Sequence, residues 1–89
     1  MIIVKNAAAG TLESSDAYVT AAPCEKLEVC IESVVMNQYG DAIRACVSET
    51  LRRLGVTEGS ITVRDKGAVD CVIAARVETA CRRGGGERA

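Results

Sequence analysis

Histidine, phenylalanine and tryptophan are all absent from this 89-residue chain. Without histidine there is no imidazole to activate a serine or cysteine nucleophile, and the commonest protein metal ligand is missing. The only aromatic residues, Tyr18 and Tyr39, are too few to build the stacking platforms that read single-stranded nucleic acids. The five cysteines, Cys24, Cys30, Cys46, Cys71 and Cys81, form no CxxC pair. An odd number at irregular spacing fits neither a disulfide framework nor a zinc site, so these thiols read as small packing residues in a reducing cytosol. No glycine-rich phosphate loop leads into a helix. The apolar run Met1-Ile2-Ile3-Val4 stops at Lys5, whereas a secretory core needs about 7–15 residues and a membrane span about 20. The expectation is a cytoplasmic chain with no membrane segment, no metal site and no catalytic residues of its own.

Hydrophobic residues make up 48% of the chain and charged residues 26%, a globular balance rather than a disordered one. A domain this small buries only about 60–65% of the surface its unfolded form exposes, which argues against a large enclosed active site. The net charge of −1 conceals an asymmetry: residues 1–50 hold seven acids and three bases, residues 51–89 five acids and eight bases. Opposed halves of this kind orient docking between partners, or simply form two solvated faces.

The run 1–4 is short enough for a strand, and residues 6–10 predict a small-residue connection into a polar turn. Ala17-Tyr18-Val19-Thr20-Ala21-Ala22 has strand character and stops at Pro23, which cannot donate to a ladder. Over 27–31, Leu27, Val29 and Ile31 alternate with Glu28 and Cys30, the period of a strand with one face buried. The four residues 23–26 suit a hairpin loop, which predicts that these two strands are antiparallel neighbours. From 39 to 54 the period becomes helical. Tyr39, Ala42, Ile43, Cys46, Val47, Thr50, Leu51 and Leu54 fall on one face, with Asp41, Arg44, Ser48, Glu49, Arg52 and Arg53 on the other. Asp41 near the start and Arg52 and Arg53 at the end suit the helix dipole, and Gly55 supplies a left-handed stop. Gly40 predicts a close backbone contact or a frayed start. Ser60-Ile61-Thr62-Val63-Arg64 makes a third strand, and Asp65-Lys66-Gly67 turns the chain into a final helix striped by Val69, Val72, Ile73, Val77 and Ala80. A strand, helix and strand with a crossover of this length form a parallel, right-handed unit. The expected fold is therefore α+β, a two-layer sandwich with a sheet of three or four strands backed by two helices. A single domain spans 1–83, with a flexible tail over 84–89.

What chemistry remains is in Gly10-Thr11-Leu12-Glu13-Ser14-Ser15-Asp16. These are ordinary turn residues between strands. A serine with no general base nearby is nevertheless a good acceptor for a group that another enzyme attaches. Two further pieces follow in series: Tyr39-Gly40-Asp41-Ala42-Ile43-Arg44 and Asp65-Lys66-Gly67-Ala68-Val69-Asp70-Cys71. Together, from about Gly10 to Arg83, they resemble the acyl carrier protein, or gamma chain, of citrate lyase. The carrier subunit of malonate decarboxylase has a comparable serine turn without the strong second and third pieces.

The resemblance implies a non-catalytic carrier, a phosphoprotein whose serine after Gly-Thr-Leu-Glu, here Ser14, is joined through a phosphodiester to a prosthetic group. That group is a phosphoribosyl-dephospho-coenzyme A arm, installed from 2′-(5″-triphosphoribosyl)-3′-dephospho-CoA by a prosthetic-group transferase. The terminal thiol of the arm holds an acetyl thioester. The implied partners are the alpha subunit (acyl transferase), which exchanges acetyl for citryl, and the beta subunit (citryl lyase), which releases oxaloacetate. No nucleic acid and no membrane are implied. A flexible tether presents its cargo to both sites at an effective concentration on the order of millimolar. Many members of that family place glycine after the modified serine, so Ser15 is a departure and a fallback acceptor. The same residues also admit an unmodified α+β interaction subunit, or a small nucleic-acid-binding sandwich that uses Arg52, Arg53, Arg82 and Arg83.

Overall fold

The computed structural model describes residues 1–86, so the part of the expected tail at 87–89 lies outside the described residues. Six elements follow one another: β1 (Ala7–Gly10), β2 (Ala17–Ala22), β3 (Leu27–Ser33), α1 (Met36–Leu54), β4 (Gly59–Asp65) and α2 (Asp70–Gly84). The strands form one mixed sheet in the order β1-β2-β4-β3. The two helices pack on each other and share one core with the sheet, which is the expected α+β sandwich with four strands.

β4 is an interior strand of the sheet, and buried residues alternate with less buried ones along it. Ile61 and Val63 are fully buried, and both edges of the strand are paired. It runs antiparallel to β2, with Ala17 opposite Asp65, and parallel to β3, with Ser33 opposite Asp65. This placement corrects the expected hairpin: β2 and β3 are not neighbours, because β4 lies between them. The connector over 23–26 is long enough for this. Four extended residues reach about 13 Å, and skipping one strand needs about 10 Å.

The edge position of β3 also corrects its expected burial. Leu27 and Val29 are exposed and only Ile31 is partly buried, because an edge strand has a neighbour on one side only and α1 covers little of it. A second correction concerns residues 7–10, which form a strand and not a connection. Their alanines carry little strand propensity, so β1 exists through pairing with β2, Ala9 opposite Val19. The opening run makes only an isolated bridge, Ile2 with Glu58. Ile3 is nonetheless buried, and Val4 and Lys5 donate backbone hydrogen bonds to the Gly84 carbonyl at 2.9 and 3.1 Å. Gly84 is itself buried as the last residue of α2.

α1 starts at Met36, three residues before its periodic stripe, and Gly55 ends it with φ 71° as expected. The earlier start leaves Asp41 outside the first turn, which holds no acid. Gly40 is buried under Met36, whose side chain lies 3.3 Å from where a Cβ would sit, so the close-contact expectation holds and the fray does not. Ile43, Val47, Thr50 and Leu51 face the core, and the Thr50 hydroxyl donates to the Cys46 carbonyl at 2.8 Å. From α2 the core takes Ile73, Val77, Ala80 and Cys81, whereas Val69 precedes the helix and is exposed. All five cysteines are free thiols. Among the described residues no helix is long and apolar enough to cross a membrane.

Candidate functional site

The antiparallel pairing of β1 with β2 leaves residues 11–16 as a loop at one end of the sheet. Gly10 closes the strand with φ 92°, and a Cβ there would lie 1.8 Å from the Ala17 carbonyl oxygen. No other residue fits that approach. Ser14 and Ser15 are both exposed at the tip. Among the described residues the Ser14 hydroxyl has no hydrogen-bond partner, so nothing competes with a group attached to it.

The loop beneath the serines is held by one carboxylate. Asp16 accepts from the Thr11 hydroxyl at 2.7 Å, from the Ala17 amide at 2.7 Å, and from Arg76 through Nε at 3.0 Å and Nη2 at 3.2 Å. The Arg76 fork holds the Asp16 carboxyl at about 2, below its ordinary 3.8, with smaller help from Thr11 and Ala17. Thr11 also accepts from the Glu13 amide at 3.2 Å. On the far side the loop is clipped to the link between β4 and α2. Ser15 donates its amide to the Lys66 carbonyl at 2.8 Å, and Lys66 returns its amide to the Asp16 carbonyl at 2.9 Å.

That link is organised by a second carboxylate. Asp65 is buried and accepts from the Ser33 hydroxyl at 2.7 Å and from the amides of Gly67 and Ala68 at 3.2 and 2.9 Å. Ser33 in turn accepts from the Val35 amide ahead of α1 at 3.1 Å. A chain of contacts thus joins the serine loop, the entry to α2 and the entry to α1. The three pieces singled out in the sequence meet at one end of the sheet.

Ser15 sits at φ 64°, the only described non-glycine residue in the left-handed region. Glycine adopts this conformation readily and serine does so at a cost, which gives a physical reason for a glycine after the acceptor serine. The four arginines of the nucleic-acid alternative are engaged within the molecule. Arg52 pairs with Glu49, Arg53 and Arg82 share Glu78 at 2.9 and 3.1 Å, and Arg83 donates to the Ala8 carbonyl at 2.9 Å.

Residues 4–84 match the acyl carrier family model described as malonate decarboxylase delta subunit (MdcD). The citrate lyase acyl carrier protein of Albidiferax ferrireducens is 54% identical over 89 residues, covering 98% of this chain and 91% of that protein. The protein of the same name from Pectobacterium carotovorum is 57% identical over 84 residues, covering 93% and 88%. The chain belongs to the citrate lyase acyl carrier protein family. A solved Pseudomonas malonate decarboxylase hetero-tetramer in complex with malonate contains a chain of the same fold, with a TM-score of 0.81 at 19% identity, over 93% of this chain and 87% of that one. Sequence reasoning about this family member missed Arg76 altogether and took Asp16 for an ordinary turn residue. The pair is separated by 60 positions, so no local pattern announces it. Asp65 stood inside the third piece, and a lone acid ending an apolar strand was its only signal.

Proposed function

We propose that this chain is the acyl carrier subunit of a citrate lyase, with Ser14 as the attachment point of a phosphoribosyl-dephospho-coenzyme A arm. The observation that carries the proposal is the exposed Ser14 hydroxyl at the tip of a loop whose base is fixed by Asp16, Arg76 and the Lys66 peptide. A bulky anionic group fits here. Its phosphodiester would leave the loop into solvent, displacing no core side chain and breaking no hydrogen bond.

When bound, the arm supplies a terminal thiol that carries acetyl and citryl groups as thioesters. The chain's own residues present it. The fixed loop base restricts where the tether begins, and the freedom of the arm lets one cargo reach two active sites at an effective concentration on the order of millimolar. The partners are then the alpha subunit (acyl transferase), the beta subunit (citryl lyase) and the transferase that installs the group. Neither step asks for a base from the carrier. Names of relatives at 54–57% identity support this assignment.

The malonate decarboxylase carrier is the second reading, favoured by the family model over 4–84. Intact-mass analysis after incubation with the prosthetic-group transferase and its nucleotide donor tests the carrier role. Reconstitution with citrate lyase subunits or with malonate decarboxylase subunits then separates the two readings.

A further inference from the structure

The loop that bears Ser14 has an apolar neighbour. Between the start of α1 and the link from β4 to α2 lies an open cleft of about 270 Å³. Val35, Tyr39, Ala42, Ile43, Ala68 and Val69 form its walls. Tyr39 and Val69 are 57% and 64% exposed, although both continue the apolar stripes of their helices. The stripes therefore extend beyond the core and line a surface that solvent reaches. Gly67 forms part of the rim and follows Lys66, the residue that exchanges two backbone hydrogen bonds with the serine loop. The cleft thus begins one residue from the backbone that fixes Ser15 and Asp16, next to Ser14. Asp70 is the one charged residue of its lining.

We propose that this cleft seats the acetylated tip of the arm while the carrier is between partners, and that it excludes the citryl form. The proposal rests on the reading that Ser14 bears the arm. An acetyl thioester with its two-carbon linker is short, uncharged and largely apolar, so seating it against Val35, Ala42, Ile43 and Val69 removes apolar surface from water and desolvates no ion. A citryl thioester brings two free carboxylates. Burying them in these walls beside Asp70 is opposed both by desolvation and by like-charge repulsion. The tether makes weak affinity sufficient, because a tip held at millimolar effective concentration occupies a millimolar site about half the time. Seating shields the thioester carbonyl from hydroxide, whose attack breaks the carbon–sulfur bond, releases acetate and leaves the thiol on the arm.

The test uses carrier whose arm and acyl group are both verified by intact mass, so absence of the arm is distinguished from failure of the cleft. Amide resonances of Tyr39, Ala42, Ala68 and Val69 should shift when the thiol is acetylated and return when the group is citryl. Resonances unmoved by acetylation, or moved equally by both groups, overturn the proposal. Hydrolysis of the acetyl carrier at mildly alkaline pH should be about twofold slower than that of acetyl-coenzyme A, as for a tip seated half of the time. Ala42→Trp, at an exposed position, fills the cleft and should restore the free rate in a variant shown to be folded by circular dichroism. Equal hydrolysis of wild-type carrier and acetyl-coenzyme A contradicts the proposal. So does a cleft whose resonances move only when a partner subunit is added.

Discussion

Asp65→Ala should destabilise the domain by about 3 kcal/mol. The carboxylate is 2% exposed and accepts three hydrogen bonds, from the Ser33 hydroxyl and the amides of Gly67 and Ala68. Bonds to a charged group contribute about 1.5 kcal/mol each at the lower end of the usual range, or about 4.5 kcal/mol for three. Gly67 is exposed, so its amide recovers water when the carboxylate is gone, which lowers the loss to about 3 kcal/mol. That is a large share of the about 4–13 kcal/mol expected for a domain of this length. Asp65→Asn is the internal control. Its carbonyl can still accept from Ala68 and its amide can donate to Ser33, but a donor then faces the Gly67 amide, so about half of the loss should remain. Urea unfolding followed by circular dichroism measures both variants, with m-values compared to exclude a change in the unfolded state. The reasoning fails if Asp65→Ala unfolds within about 0.5 kcal/mol of wild type, a change typical of an unremarkable surface site.

Three further outcomes are expected. Ile43→Asp places an unpaired carboxylate at a position 3% exposed and should cost about 4 kcal/mol, whereas Arg52→Asp, at a side chain 75% exposed, should cost about 1 kcal/mol or less; equal melting temperatures would show the α1 face to be misassigned. The Asp16 carboxyl, followed by carbon NMR, should titrate near 2, and Arg76→Met should move its midpoint upward. Because the folded value lies below the unfolded one, the stability this group contributes is complete above pH 3.8 and is lost as pH falls toward 2; a midpoint at 3.8 that ignores Arg76 would refute the contact. Ser15→Gly removes a left-handed serine worth about 1–2 kcal/mol of strain and adds about 0.5–1 kcal/mol of glycine entropy, for a net gain of about 0.5 kcal/mol; a loss of stability in thermal unfolding would contradict it.

Local patterns in the chain carried the elements that packing merely reinforces. The spacing of Ile43, Val47 and Leu51 and the stop at Gly55 located α1, and the alternation of Ile61 with Val63 located β4. Strand order was not legible, because a four-residue connector reaches equally well to an adjacent strand or across one, and long-range pairing decides between them. β1 gave no signal, since three alanines and a glycine become a strand only beside β2. At the candidate site the serine loop and its two companion pieces were readable as motifs. Their meeting at one end of the sheet was not, because it depends on the register that sets Asp65 opposite both Ala17 and Ser33. The Arg76 anchor depends on two distant elements packing together, so neither segment alone predicts it.

The attachment of the arm is measured most directly by intact mass of wild type, Ser14→Ala and Ser15→Ala after exposure to the prosthetic-group transferase and its triphosphoribosyl-dephospho-coenzyme A donor. Circular dichroism on the same samples confirms that each is folded, as expected when an exposed hydroxyl contributes within about 0.5 kcal/mol. Wild type and Ser15→Ala should gain the mass of the phosphoribosyl-dephospho-coenzyme A group, and Ser14→Ala should not. Gain in Ser14→Ala with loss in Ser15→Ala would move the attachment to the neighbouring hydroxyl, and no gain in wild type would contradict the carrier reading itself.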